Sequence, residues 1–176
     1  MNNILINRKI EATIREHFNT FPIVTLTGPR QSGKTTLCRK LFPEFPYVNF
    51  EDATILDEVK SDPKRFINKY PQGLIIDEAH NFPEIFSYIQ VVVDEDNFNN
   101  KTDRRFIITG SSNFALLEKV TQSLAGRTAV LNLLPLSLQE LNDEQQQLSS
   151  DTHILRGGYP AIWAKGQDSR MVYRAY

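Results

Sequence analysis

Short, almost continuously apolar runs alternate along this chain with longer stretches whose apolar residues recur every three or four positions. The runs are PIVTLT (22–27), YVNF (47–50), LIIDEA (74–79), RFIITG (105–110) and AVLNLL (129–134). Runs of this length, rich in β-branched and aromatic residues, read as strands buried on both faces. Between them, KTTLCRKLF (34–42), the charged region Thr54 to Tyr70, PEIFSYIQVVVDE (83–95) and FALLEKVT (114–121) read as helices. Five strands separated by helices predict an α/β fold in three layers, a mainly parallel sheet covered by helices on both sides. Ahead of the first strand, Ile10, Ile14 and Phe18 stand at helical spacing among charged residues, which predicts an amphipathic helix over 7–19 that ends at Pro22.

After Pro135 the pattern becomes helical only: SLQELNDEQQQL (137–148), THILRG (152–157) and QDSRMVYRAY (167–176). The polar patch Glu144 to Ser150 reads as a surface loop or frayed helix end. Gly157-Gly158 suits a helix C-cap and Pro160 the first position of the next helix. Residues 1–136 are therefore expected to form the core with its N-terminal helix, and 137–176 a lid-like helical segment. Because no helix-ending signal precedes Tyr176, that segment is expected to be truncated.

A chain of 176 residues can bury a sizeable core, and it is too short for a two-domain motor. The formal net charge of −1 gives no global field to draw it onto nucleic acid or an anionic membrane. A single cysteine, Cys38, excludes an internal disulfide and a cysteine-based zinc site, and fits a reducing cytoplasm. Neither a signal-peptide core nor a run of membrane-spanning length is present, so a cytoplasmic protein is expected.

The chemistry begins after the first strand. Gly28-Pro29-Arg30-Gln31-Ser32-Gly33-Lys34-Thr35 matches G-x-x-x-x-G-K-[ST], with an apolar strand before it and a helix pattern after it. The glycines let main-chain N–H groups wrap phosphate oxygens at a helix N-terminus, and Thr36 continues that first turn. Lys34 brings a mobile positive charge to the terminal phosphates, and the Thr35 hydroxyl can coordinate magnesium. The side chains of Arg30 and Gln31 read as solvated.

In LIIDEAH, the apolar Leu74, Ile75 and Ile76 deliver Asp77 and Glu78 to the carboxyl end of a buried strand, where open parallel sheets bind ligands. Asp77 is expected to hold the magnesium and Glu78 to orient the water that attacks the terminal phosphate; capping of the following turn is the alternative for both. RFIITG runs into Ser111, Ser112 and Asn113. Of these, Ser111 is the choice for sensing the terminal phosphate, with helix capping by Ser112 or Asn113 equally open. Arg127, after a glycine turn, is a candidate to stabilise phosphoryl charge in its own subunit or in a neighbour's, against the alternative of a solvent-facing strand start.

Two other matches are misleading. Asn100-Lys101-Thr102-Asp103 spells the guanine-binding N-K-x-D, yet it follows a polar stretch rather than an apolar strand. Asp77-Glu78-Ala79-His80 spells a helicase motif, yet no second set of strands exists, and His80 reads as a surface residue or one supporting the site from behind.

Taken in order, GPRQSGKTT, LIIDEAH, FIITGSSN, SLAGR, LLPLSLQEL and RGGYPA resemble the N-terminal part of AAA-type bacterial and archaeal ATPases, in which this module precedes a C-terminal domain of uncharacterised function. The resemblance covers about Ile10 to Tyr176. It implies ATP and magnesium, a P-loop NTPase fold with the phosphate-loop strand central, a catalytic glutamate at Glu78 and a sensor among Ser111 to Asn113. It also implies further chain beyond this stretch, likened in the family to restriction-type nucleases. The expected function is ATP hydrolysis that controls an attached or partner domain, in a chain able to form homo-oligomers. A nucleotide switch with little turnover is one alternative, and a nucleic-acid motor or loader, poorly supported by the near-neutral charge, is another.

Overall fold

The computed structural model describes residues 6–101, 103–111, 119, 120, 122–145 and 148–174. Ser112, Asn113 and most of the expected helix 114–121 lie outside them. All five expected strands form: β1 (Ile23–Thr27), β2 (Tyr47–Asn49), β3 (Gly73–Asp77), β4 (Arg105–Thr109) and β5 (Thr128–Asn132). They pair in the order β2-β3-β4-β1-β5, every pair parallel. The phosphate-loop strand β1 is interior, flanked by β4 and β5, and β4 holds the middle position.

Side chains alternate across this sheet, which explains the uninterrupted apolar strands. Leu74, Ile76, Phe106 and Ile108 point into one core with Phe50, Phe66 and Phe86. Ile75 and Ile107 point into the other with Leu26, Ile14, Leu37 and Cys38. The first core is roofed by α3 (Ala53–Ser61), α4 (Pro63–Asn68) and α5 (Ile85–Phe98); the second by α1 (Glu11–Thr20) and α2 (Lys34–Leu41).

Two boundaries differ from the sequence reading, each for a local reason. The charged region 54–70 is two helices because Pro63 has no N–H to continue α3, while the Asp62 carboxylate accepts the Arg65 N–H and starts α4 with Pro63 in its first turn. The N-terminal helix begins at Glu11 rather than residue 7, and residues 6–10 instead form an arm whose polar groups are engaged elsewhere in the fold.

That arm meets the last part of the chain: α6 (Leu138–Gln145), α7 (Ser150–Arg156), α8 (Pro160–Ala164) and α9 (Ser169–Arg174). Ile6 joins Leu136, Leu141, Ile162, Trp163 and Val172 in a third apolar cluster, separate from the two sheet cores. The expected Gly157 cap forms with φ 73°, and the Trp163 indole N–H donates to the Gly157 carbonyl at 2.7 Å. The Leu136 N–H donates to the Gly158 carbonyl at 2.7 Å, seating the helical segment on the connection that leaves β5. Among the described residues, no helix is long and apolar enough to cross a membrane.

Candidate functional site

The strands end level with one another, so the polar residues that close them form a row at the carboxyl edge. Leu26 pairs with Thr109 and Ile76 with Ile108, which brings Thr27, Thr109 and Asp77 to the same edge. From Thr27 the chain turns through the phosphate loop into α2. Gly28 has a φ of 150°, and a Cβ placed there would stand 2.2 Å from the Leu133 carbonyl oxygen, so the loop's first position accepts only glycine without rearrangement. Gly33, at φ 95°, occupies the N-cap of α2. Gln31 is also left-handed, at φ 59°.

Inside the loop, Lys34 is buried and its ammonium donates to the carbonyls of Gly28 at 3.0 Å and Pro29 at 2.9 Å. Burial pulls its pKa below the ordinary lysine value, and the nearby Glu78 and Asp77 carboxylates oppose that shift. The Ser32 hydroxyl is buried with no hydrogen-bond partner. A cationic side chain, an orphaned hydroxyl and a helix N-terminus around one loop fit the oxygens of a phosphate.

Asp77 collects three hydroxyls. Thr35 and Tyr47 each donate to Oδ2 at 2.7 Å, and Thr109 donates to Oδ1. Burial and the Asp77 hydrogen bond push the Tyr47 phenol well above its ordinary pKa, so it acts as a permanent donor. Thr35 and Asp77, hard oxygen donors in direct contact, fit a magnesium ion. Below them Cys38 is inert, its thiol pushed up to about 12 by burial and then by Asp77.

Glu78 follows with φ 53° and ψ 43°, a conformation costing a non-glycine residue about 1–2 kcal/mol. Its Oε2 lies 3.1 Å from His80 Nδ1 but is not aligned as a hydrogen bond, leaving both buried atoms without a directed partner. Left-handed backbone at a non-glycine residue and an unsatisfied buried oxygen are features that cluster at functional sites. Glu78, Gln31, Gly33, Lys34, Thr35 and Thr36 line one cleft of about 600 Å³, closed on its far side by Arg8 and by Pro160 and Ala161 of α8.

The structure therefore brings together Gly28, Pro29, Ser32, Gly33, Lys34, Thr35, Asp77 and Glu78. It does not bring Arg127 to them. Arg127 precedes β5, at the opposite edge of a parallel sheet from the loop, where its backbone carbonyl accepts from Ile23 at the start of β1. Its guanidinium is bound by Asp94 of α5 at 2.6 and 2.8 Å. A residue that begins a parallel strand cannot share an edge with loops that end one. Ser111 is half-buried two residues past β4, and Thr109 is the β4 residue that reaches Asp77.

Four supporting residues escaped the sequence reading: Tyr47, Thr109, Arg8 and Glu140. Thr109 had a signal, a polar residue closing an apolar strand. Glu140 had one too, since Ser137-x-x-Glu140 is a capping box: Ser137 N–H donates to Glu140 Oε2 at 2.8 Å and Glu140 N–H to Ser137 Oγ at 3.2 Å. Tyr47 and Arg8 had none.

Sequence comparison matches residues 20–142 to the AAA domain family. An uncharacterised protein of Mycobacterium tuberculosis is 32% identical over 173 residues, which is 97% of this chain and 37% of that protein. An uncharacterised protein of Methanocaldococcus jannaschii is 30% identical over 146 residues, covering 77% of this chain and 31% of its own length. This chain thus spans about a third of the length of the relatives it matches. Among solved structures, the Walker-type ATPase of Pyrococcus abyssi superposes with a TM-score of 0.58 at 16% identity, over 97% of this chain and 71% of that one. AMPPCP-bound DnaA from Aquifex aeolicus gives 0.54 at 13% identity, over 92% and 59%. With the phosphate loop, the five-stranded parallel sheet and a match over most of its length, the chain belongs to the AAA domain family of P-loop ATPases.

Proposed function

We propose that this chain binds ATP with magnesium and hydrolyses it, as a module whose nucleotide state controls an attached or partner domain. The observation that carries the reading is the meeting of Lys34, Thr35 and Asp77 at one sheet edge, with Glu78 at the mouth of the same cleft. The loop residues Gly28 to Thr36 hold the phosphates through backbone N–H groups, and the Lys34 ammonium leaves its two carbonyl acceptors for the terminal phosphate oxygens. Thr35 and Asp77 hold magnesium, which when bound neutralises phosphate charge. Tyr47 and Thr109 keep the Asp77 carboxylate oriented. Glu78 turns from His80 to orient the attacking water and draw off its proton. The cleft between the loop and α8 has room for a nucleotide, and residues 137–176 act as its lid.

Glu78→Gln keeps the side chain's shape and removes the base. Nucleotide affinity should stay within about threefold while phosphate release falls by about a hundredfold or more. Unchanged turnover would sink the role of Glu78, and a wild-type protein that fails to bind ATP would sink the whole reading.

A nucleotide switch with little turnover is the second reading, favoured by Arg127 lying at the sheet edge opposite the loop, bound by Asp94 and out of reach of the site in its own chain. Phosphate release measured against protein concentration separates the two. Turnover per molecule that rises with concentration indicates a site shared between copies, for which Arg127 is the candidate finger; none at any concentration favours the switch.

A further inference from the structure

The arm residue Arg8 is buried and spends its guanidinium on three separate parts of the chain. Nη1 donates to the Ser32 carbonyl of the phosphate loop at 3.0 Å, and Nη2 to the Leu134 carbonyl after β5 at 2.6 Å. Nε donates to Glu140 Oε1 of α6 at 3.1 Å, and the pair is almost fully enclosed. Glu140 is saturated in turn, by the Lys9 N–H on the same oxygen at 2.9 Å and by Ser137 N–H and Oγ on the other. The Arg8 N–H donates to Glu11 Oε1, which anchors the arm to the first turn of α1.

This arrangement is more elaborate than docking the helical segment requires, because the third apolar cluster already does that. It also costs the desolvation of two charges, which a buried pair recovers only when every donor and acceptor is used. What the pair adds is a contact with the loop itself. Gly33, next to Ser32, is covered from two sides: a Cβ there would stand 3.9 Å from Arg8 Nη1 and 3.7 Å from Pro160 Cγ of α8. The Ser32-Gly33 peptide belongs to the loop whose N–H groups would meet phosphate oxygens, so Arg8 holds the loop next to the place of binding. Any movement of that peptide is passed by one rigid, planar guanidinium to α6, and α8 meets it directly.

We propose that Arg8, held by Glu140, is a positioning residue that couples occupancy of the phosphate loop to the seating of the helical segment 137–174. The proposal rests on the ATP reading of the loop. Lysine cannot replace arginine here, since a single ammonium cannot span three acceptors in the geometry of the guanidinium fork.

The test measures binding of a fluorescent non-hydrolysable ATP analogue, and amide hydrogen exchange across α6 and α7 with and without it, on the full chain. In the wild type, nucleotide should slow exchange in α6 and α7 about tenfold or more. In Arg8→Lys the slowing should fall below about threefold, while analogue affinity drops by no more than about tenfold. Glu140→Gln, of the same shape, should lose the slowing in the same way, and carries the test if Arg8→Lys does not fold. A merely structural role would lower the melting temperature of both variants and leave the nucleotide-induced slowing intact, which would overturn the proposal. Wild-type binding without slowing would overturn it alone, whereas a wild type that does not bind the analogue overturns the ATP reading beneath it.

Discussion

Gly28→Ala tests the geometry of the phosphate loop against a control in the same molecule. The new Cβ would lie 2.2 Å from the Leu133 carbonyl oxygen, 3.1 Å from the Leu133 carbonyl carbon and 3.2 Å from Ser32 Oγ. Leu133 cannot yield, because its own N–H donates to the Thr27 carbonyl at 2.8 Å and ties it to β1. The loop must retreat by about 1 Å to restore van der Waals contact, on top of a φ of 150° that a side chain tolerates at a cost of about 1–3 kcal/mol. Gly126 has φ 74° and nothing within 4 Å of its would-be Cβ, so Gly126→Ala carries only left-handed strain of about 1–2 kcal/mol. Gly28→Ala should therefore be the less stable of the two by about 2 kcal/mol, or 4–8 °C in melting temperature for a chain of this size. It should also lose ATP binding, because a displaced loop no longer points its N–H groups at one phosphate. Thermal unfolding and nucleotide titration of both variants provide the assay. Equal stability of the two, or ATP binding by Gly28→Ala at wild-type affinity, would refute the argument from backbone approach.

Three further outcomes follow from named contacts. Tyr47→Phe removes one of three hydroxyls on Asp77; denaturant unfolding should report a loss of about 1 kcal/mol, and magnesium-dependent turnover a rise in the metal concentration required. Burial alone would raise the Glu140 pKa, but the Ser137 and Lys9 N–H groups and Arg8 hold it below the usual carboxylate range. Its stabilisation is then complete at neutral pH and fades below about pH 4 as pH falls through the folded value, so Glu140→Gln should flatten that limb of a stability–pH curve. Arg127→Ala breaks a surface pair with Asp94 and should cost less than about 1 kcal/mol; turnover in dilute protein should not change, and a loss confined to high concentration would reveal a role between copies.

How far the sequence carried can be judged element by element. The inner strands β1, β3 and β4 were legible because they are buried on both faces and read as nearly unbroken apolar runs, the more exposed outer strands β2 and β5 from shorter β-branched and aromatic runs, and the loop because its glycines and lysine serve a local backbone shape. Asp77 and Glu78 were legible because a strand that ends in two carboxylates has one edge on which to present them. For Arg127, a place before a parallel strand already implied the edge opposite the loop, which leaves a neighbour's site as the one open to it. Local pattern says what an element is, while direction in the sheet says where its ends lie.

The sequence by itself determined the fold class, the phosphate cradle and the acidic pair, since the first is a succession of elements each legible from local periodicity and the other two are written within a few consecutive residues. Tertiary structure alone decided which hydroxyls hold Asp77, that His80 faces Glu78, and that Arg8 reaches Glu140 across 132 residues of chain. The reason is that burial selects partners by satisfying their hydrogen bonds, and that condition depends on what surrounds a group in space. An arginine eight residues from the start, read alone, is a solvated charge; enclosed between loop, linker and helix, it joins the phosphate cradle to the segment that covers it.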